Sequence, residues 1–531
     1  MSVPVIIRRA RWVVGAAVAV GLFFAYLLMS RAVGMNSDGA SNAIQAWDML
    51  HGNVLLSGWT VTDVSFYTNE LLLFALVETV YGYHDDTTHA VAALVFTLLV
   101  LVVAAAAKGR ATGREAAVKV AVAVAIVAVP ALGFAAVTQL TSPDHTGTAI
   151  PLLLIWLLVE RAADRRWLPY AVAALLAWAQ IADPLVMYIG VLPLLAVSAW
   201  RLLRNRTDRR TDIALLIAGP ASIVLAQIAL FAIRLGGGFG AHAAEAKLST
   251  FSDLGHHLWL AARVMSVNFG AYFPDREGPA GAAMAAIHLL GLLATLAAVA
   301  IAAARTLRAP SDRMVELLTV GILVNLGAFV VSALPTDLLS ARQVVAILPL
   351  GAVLVARIFG PPLAAAGHKI TAALAVLLML LAGELIAHAT FQGVRGHAVD
   401  VAQWLDDRGL SYGIGEYWNA NNVTVLTGGR VQVAPVVAGP PIASYRWESK
   451  EDWYDPAKHD ARFLVVDTRN PSTRTEATAR SQFGDPVERH EFDGAVVLVY
   501  AHNLLRGLPA YCVPETAPTP AACPDHGLVL F

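Results

Sequence analysis

The sequence is poor in charge. Only 15% of its 531 residues are Asp, Glu, Lys or Arg, against roughly 25% in an ordinary soluble domain. Hydrophobic residues make up 57%, and the mean hydropathy is +0.60. So few charges cannot coat that much apolar surface in water, which excludes a soluble enzyme and a disordered chain. With 38 basic and 39 acidic side chains, net charge -1 at pH 7, there is no global field to attract nucleic acid either. Cysteine is scarce too: Cys512 and Cys523, both near the C-terminus, are the only two, and two cysteines at that spacing are no metal-ligand set.

What is present in abundance is long apolar runs. A bilayer core of about 30 Å needs about 20 apolar residues per helix. Eleven segments qualify as spans: Trp12–Ser30, His89–Ala107, Ala116–Val137, Gly147–Val159, Trp167–Ile181, Leu185–Trp200, Ile213–Ile233, Ala280–Ala304, Met314–Ala333, Val344–Ile358 and Ile370–Ala389. Basic residues cluster in alternate loops, at Arg8 to Arg11, Lys108 to Lys119, Arg161 to Arg166, Arg201 to Arg210, Arg305 to Arg313, and Arg357 with Lys369. The opposite loops hold only Arg31, Arg234, Lys247, Arg263, Arg276 and Arg342. The positive-inside rule therefore puts the N-terminus in the cytoplasm. Both flanks of Trp167–Trp200 are strongly basic, so that stretch must cross twice, breaking at Asp183-Pro184. The first run has basic residues before it, as a signal peptide would, but no small-residue cleavage site follows.

The expectation is a polytopic α-helical membrane protein of about eleven transmembrane helices. Residues 1–390 form the membrane part, with outer loops 34–88, 138–147 and 234–280, and residues 391–531 a small α/β or α+β unit outside. In that unit Val423–Leu426, Phe463–Asp467 and Ala495–Tyr500 read as strands and Val399–Arg408 as a helix. An even pair of cysteines in an oxidising compartment reads as a disulfide, Cys512 to Cys523, worth roughly 2 to 3 kcal/mol.

Acidic groups close to a membrane need a reason. Asp38, in Met35-Asn36-Ser37-Asp38-Gly39, follows the first span directly and is placed either to accept a proton from a polar substrate or, with Ser37, to cap the following helix. Asp144 stands at the outer end of the third span in Thr141-Ser142-Pro143-Asp144-His145, again as cap or as site. His145 beside it is one His–Asp pair, too little to assign a metal; no cofactor is assigned and a divalent metal stays open. Leu254–Val267 reads as an amphipathic surface helix. Arg342 opens the tenth span on the side where arginine is rare, as a headgroup anchor or a phosphate clamp. Tyr417, Trp418, Trp447 and Trp453 are either sugar-stacking or core aromatics, and Glu384, inside the last span, awaits a basic partner.

In this order and on one side, these residues resemble the GT-C superfamily of integral-membrane glycosyltransferases, particularly its protein mannosyltransferase and aminoarabinose transferase branch. The resemblance rests on Asp38 opening the first outer loop, the helix after it, the Phe66–Gly82 surface segment, Asp144 after the third span, Arg342 with Pro349 at the head of a late span, and the outer C-terminal unit. It implies a polyprenyl-phosphate sugar donor, a lipid, glycan or protein acceptor, and transfer with inversion at the outer face of the cytoplasmic membrane. Asp38 maps to the general base, Asp144 to the second acidic position and Arg342 to the phosphate contact, with Lys247 and Arg263 as further donor-binding candidates. Gln343 stands where the family often has tyrosine, and Asp38 lacks a neighbouring glutamate, which leaves subfamily and acceptor open. A transporter or flippase of a lipid-linked or cell-envelope molecule is the alternative; such proteins usually carry internal repeats, and none is visible here.

Overall fold

The computed structural model describes residues 3–141, 145–204, 208–241, 247–308, 312–393, 397–469 and 475–509. Cys512, Cys523 and Asp144 lie outside the described residues. The chain runs through α1 (Val3–Val33), α2 (Ser37–Leu50), α3 (Glu70–Tyr81), α4 (Asp86–Lys108), α5 (Gly113–Val127), α6 (Phe134–Leu140), α7 (Ala149–Arg161) and α8 (Leu168–Ala182). It continues through α9 (Leu192–Leu203), α10 (Arg209–Leu235), α11 (Leu254–Asn268), α12 (Gly278–Arg308), α13 (Arg313–Val331), α14 (Ile347–Ala365) and α15 (His368–Ala389). Three more helices follow, α16 (His397–Asp407), α17 (Tyr417–Leu426) and α18 (Thr475–Phe483).

Among the described residues seven helices are long and apolar enough to cross a bilayer: α1 from Val13 onward, α4, α10, α12, α13, α14 and α15. The protein is a multi-pass membrane protein. α5, α7, α8 and α9 are apolar but shorter, and prolines account for two of the interruptions. The run expected to be continuous from Ala116 to Val137 breaks after Val127: Pro130 lacks an N–H and disfavours helix at the residue before it, Gly133 turns the chain at φ 85°, and α6 starts anew. Similarly, Leu185–Trp200 opens as a π-helical turn at Met187–Val191 before α9, whose first turn holds Pro193.

Charges inside the helical body are paired, as a medium of low polarity requires. Arg201 meets Glu316 at 2.8 Å, Arg313 meets Asp212 at 2.6 Å, and Arg357 meets Glu160 at 2.8 Å. Toward the other end, Glu384 accepts from Arg276 at 2.9 Å and lies 2.8 Å from the His288 ring, so it has its basic partner.

Among the described residues nine strands build two sheets: β1 (Trp59–Val61), β2 (Gly240–Ala241), β3 (Tyr412–Glu416), β4 (Gln432–Val437), β5 (Ala443–Ser444), β6 (Ser449–Lys450), β7 (Phe463–Asp467), β8 (Glu488–Phe492) and β9 (Ala495–Val499). The larger sheet, ordered β5-β4-β3-β7-β9-β8, is parallel across β4-β3-β7 and antiparallel elsewhere. Val423–Leu426, read as a strand from its β-branched residues, is instead the last turn of α17. Its side chains at Val423, Thr424 and Val425 are buried, and tertiary burial overrides the local preference for strand.

One feature of the packing positions the site. The small sheet, ordered β2-β1-β6, joins three distant segments, pairing Thr60 with Gly240 and Trp59 with Lys450. Around it Leu56, Trp59, Phe66 and Phe74 of the first outer loop share one apolar core with Ile414, Val436 and Leu464 of the larger sheet. The loop and the C-terminal unit thus fold onto each other.

Candidate active site

A cavity of about 970 Å³ lies between one end of the helical body and the C-terminal unit. Asp38, Lys247 and Arg342 all line it, although they come from the first outer loop, the long outer loop and the turn before α14.

Asp38 is set by α2. The cap of that helix is neither Ser37 nor Asp38 but Asn36, whose side chain accepts from the Gly39 N–H at 2.8 Å. With the cap filled, Asp38 stands in the first turn with its carboxylate on the cavity wall, where the Tyr417 hydroxyl donates to it. Ser37 Oγ donates to the Tyr417 carbonyl and Asn421 Nδ2 to the Ser37 carbonyl at 3.5 Å, which locks α2 against α17.

The two basic residues are placed by backbone bonds made to their neighbours. Ala333 N donates to the Lys247 carbonyl at 2.9 Å and Ser249 N to Val331 at 3.0 Å, so the strand-like segment carrying Lys247 lies along the end of α13. Arg342 sits in a 3₁₀ turn, Leu338–Val344, that opens with an Asp337–Ser340 capping box. Asn268 holds that turn through the Ala341 carbonyl at 2.8 Å, and Asn325 through the Gln343 carbonyl at 3.1 Å. Arg263 is elsewhere: its guanidinium lies 4.4 Å over the Trp259 ring, on a separate small depression.

His145 and Asp183 form a buried part of the cavity wall. His145 Nδ1 is 2.7 Å from Asp183 Oδ2, Thr148 donates to the same oxygen, and Leu185 N donates to Oδ1 at 2.8 Å. Burial raises the Asp183 carboxyl, but His145 and these hydrogen bonds prevail and hold it below its ordinary value. The turn that reads as merely structural in the sequence is therefore also cavity wall. The first outer loop docks on it, Ser65 Oγ donating to the Ile181 carbonyl at 2.6 Å and Phe66 N to Ala182 at 3.0 Å. Among the described residues no three His, Cys, Asp or Glu side chains converge as a metal-binding group.

The opposite wall comes from the C-terminal unit. Glu416, Tyr417, Trp418, Tyr445, Trp447 and Glu448 line the cavity. Trp418 is half-exposed there, whereas Trp453 is buried edge-on against Trp59. Burial pushes the Glu416 carboxyl up to about 6 and the Tyr445 phenol up to about 12. Glu448, not singled out from the sequence, places Oε2 2.7 Å from the Tyr417 hydroxyl oxygen. Its only sequence signal is its place beside Tyr445 and Trp447.

Site and fold together define a multi-pass membrane protein with an acid- and base-lined cavity closed by a sheet-bearing C-terminal unit. No protein-family model and no curated protein matches the sequence, but solved structures do. ArnT from Cupriavidus metallidurans, bound to undecaprenyl phosphate, is similar at a TM-score of 0.55 and 12% identity, over 94% of this chain and 99% of that one. The Archaeoglobus fulgidus oligosaccharyltransferase, in complex with Zn and sulfate, is similar at 0.45 and 11%, over 82% of this chain. This chain spans only 64% of that protein's length. The arabinofuranosyltransferase AftD from Mycobacteria gives 0.37 and 15%, over 93% and 40%. At these identities the likeness is one of fold alone: this chain shares the fold of the Cupriavidus metallidurans ArnT structure.

Proposed function

We propose that the protein is an inverting glycosyltransferase that moves a sugar from a polyprenyl-phosphate donor to an acceptor at the outer face of the cytoplasmic membrane, with its N-terminus cytoplasmic and the C-terminal unit outside. The observation that carries this reading is that Asp38, Lys247 and Arg342 line one cavity. An anionic base and two cations in one cavity suit the two charges that such a reaction must manage. The acceptor hydroxyl gives its proton to the Asp38 carboxylate as its oxygen bonds to the anomeric carbon. The bond from that carbon to the phosphate oxygen breaks with its electron pair on the leaving phosphate, where Arg342 and Lys247 offset the growing charge. Attack opposite the leaving group inverts the anomeric centre. Asp144 is proposed as the second acidic residue of the site, on the strength of its place beside His145, which lines the cavity. Arg263, engaged with Trp259 and Tyr272, is not part of this proposal.

The test is transfer from labelled polyprenyl-phosphate sugars in membranes containing the full chain. Asp38→Asn is expected to lower transfer by at least about 100-fold, and Arg342→Ala to raise the apparent KM for donor with the fold intact. Equal transfer by wild type and Asp38→Asn refutes the base. No transfer with any donor, together with uptake of the lipid-linked compound into vesicles, replaces the transferase by a transporter.

A further inference from the structure

The proposed reaction gives no role to the Tyr417 hydroxyl, yet no other side chain of the C-terminal unit is held so closely against Asp38 among the described residues. Tyr417 Oη touches Asp38 Oδ1 and lies 2.7 Å from Glu448 Oε2. A neutral phenol has one proton, and two hydrogen bonds among three oxygens need two. With both carboxyls ionised, one contact would set lone pairs against each other in a buried place. One carboxyl must therefore keep its proton.

Burial decides which one. Glu448 is 2% exposed, while Asp38 is only half-buried. Removal from water disfavours the charged form. The negative charge thus belongs on Asp38. Lys247, Arg342, His145, Asp63, Glu416 and Tyr445 are further ionisable groups lining the cavity; Asp183 lies against His145, and Arg446, two residues before Glu448, donates to Gly58 and Thr60.

Resting on the reading of Asp38 as the base, we propose that Tyr417 and Glu448 are a positioning pair: neutral Glu448 donates to the Tyr417 oxygen, and the Tyr417 hydroxyl donates to Asp38, holding it ionised. Asp38 receives the acceptor proton on its remaining lone pairs, while Tyr417 and Glu448 neither gain nor lose one. The pair also ties catalysis to the C-terminal unit, since Tyr417 opens α17 and its ring is held edge-on by Tyr445 at 5.4 Å and Trp418 at 5.2 Å.

The experiment measures kcat/KM for acceptor against pH for the full chain in proteoliposomes. Glu448→Gln keeps transfer within about threefold of wild type, because its amide N–H donates to the phenol as the neutral acid does. Tyr417→Phe lowers kcat/KM and moves the acidic limb to higher pH by about one pH unit, since the lost hydrogen bond favoured ionised Asp38. Loss of transfer in Glu448→Gln as deep as in Asp38→Asn, or an unmoved limb in Tyr417→Phe, overturns the pairing. Should Tyr417→Phe fail to fold, Glu448→Gln decides alone. Should the wild type transfer nothing, the proposed function fails, and the proton is then sought by infrared spectroscopy. A carboxylic acid C=O component at pH 7 that is lost in Glu448→Gln but kept in Asp38→Asn and in Glu70→Gln supports the pair; a spectrum unchanged by Glu448→Gln overturns it.

Discussion

A methyl group on Gly147 is the sharpest available probe of how the outer loops pack. Built on this backbone, it would lie 1.9 Å from Glu70 Oε1 and 2.9 Å from Glu70 Cδ. Carbon and oxygen need more than 3 Å, so the carboxyl must retreat by about 1 Å or more. It has little room, because Glu70 is 2% exposed. Gly147→Ala is therefore expected to cost about 1 to 3 kcal/mol, the usual range for overpacking. Gly147 is not among the glycines at positive φ, so backbone strain adds nothing and the whole effect runs through Glu70. The assay is a double-mutant cycle, with reversible urea unfolding in micelles of Gly147→Ala, Glu70→Ala and the double variant. In the Glu70→Ala background the methyl group meets an emptied space and should cost less than about 0.5 kcal/mol, giving a coupling of about 1 to 2 kcal/mol. Strictly additive effects would refute the contact and with it the docking of α3 on the turn that carries His145.

The same carboxyl predicts a pH dependence. Burial pushes Glu70 up to about 8, so between its ordinary value and that one the folded chain binds the extra proton; stability should fall as pH rises through this window, and Glu70→Gln should flatten the curve measured by thermal unfolding at pH 5 to 8. Asp183 has the opposite sign. Its carboxyl is held below its ordinary value, so its contribution is present above that value and is lost as the pH falls through its own. Removing it leaves His145, Thr148 and Leu185 N without their shared acceptor. Asp183→Ala should destabilise by about 3 to 5 kcal/mol, and Asp183→Asn, which retains an acceptor oxygen, by clearly less. Equal melting points for these two variants would show that hydrogen bonding is not what Asp183 provides.

Much of the membrane part was legible because its signal is local. Every one of the eleven apolar runs is helical over most of its length, since composition over 15 to 20 residues decides that without help from the rest of the chain. The misreadings came where local and non-local forces disagree. Pro130 interrupts an apolar run that hydropathy alone carries through, and α17 stays helical because its β-branched turn is buried between α2 and the large sheet. For the proposed site, asking why a charge stands away from the basic loops singles out Asp38, Lys247 and Arg342, and all three line one cavity. Arg263 met the same criterion and lies elsewhere, because an aromatic face satisfies a surface arginine as well as an anion does. Tyr417 and Glu448 carried no such mark: a tyrosine and a glutamate in a polar segment are ordinary, and only folding sets them against Asp38.

That distance along the chain has a physical consequence for how the site is kept. Asp38 is separated from Tyr417 by 379 positions, so nothing local holds the two together. What does so is the apolar core shared by Trp59, Phe66 and Phe74 with Ile414, Val436 and Leu464, reinforced by the β1-β6 pairing and by Arg446 donating to the Gly58 carbonyl and to Thr60. Hydrophobic burial supplies the energy but is non-directional; the strand register and the buried guanidinium supply the direction. Substitutions in that core, far from the cavity, would move α17 relative to α2. A displacement of about 1 Å is enough to spoil a hydrogen bond to a catalytic group. The C-terminal unit is in this sense the part of the cavity that fixes Asp38, while the segment along the end of α13 and the turn before α14 bring Lys247 and Arg342 to the same cavity.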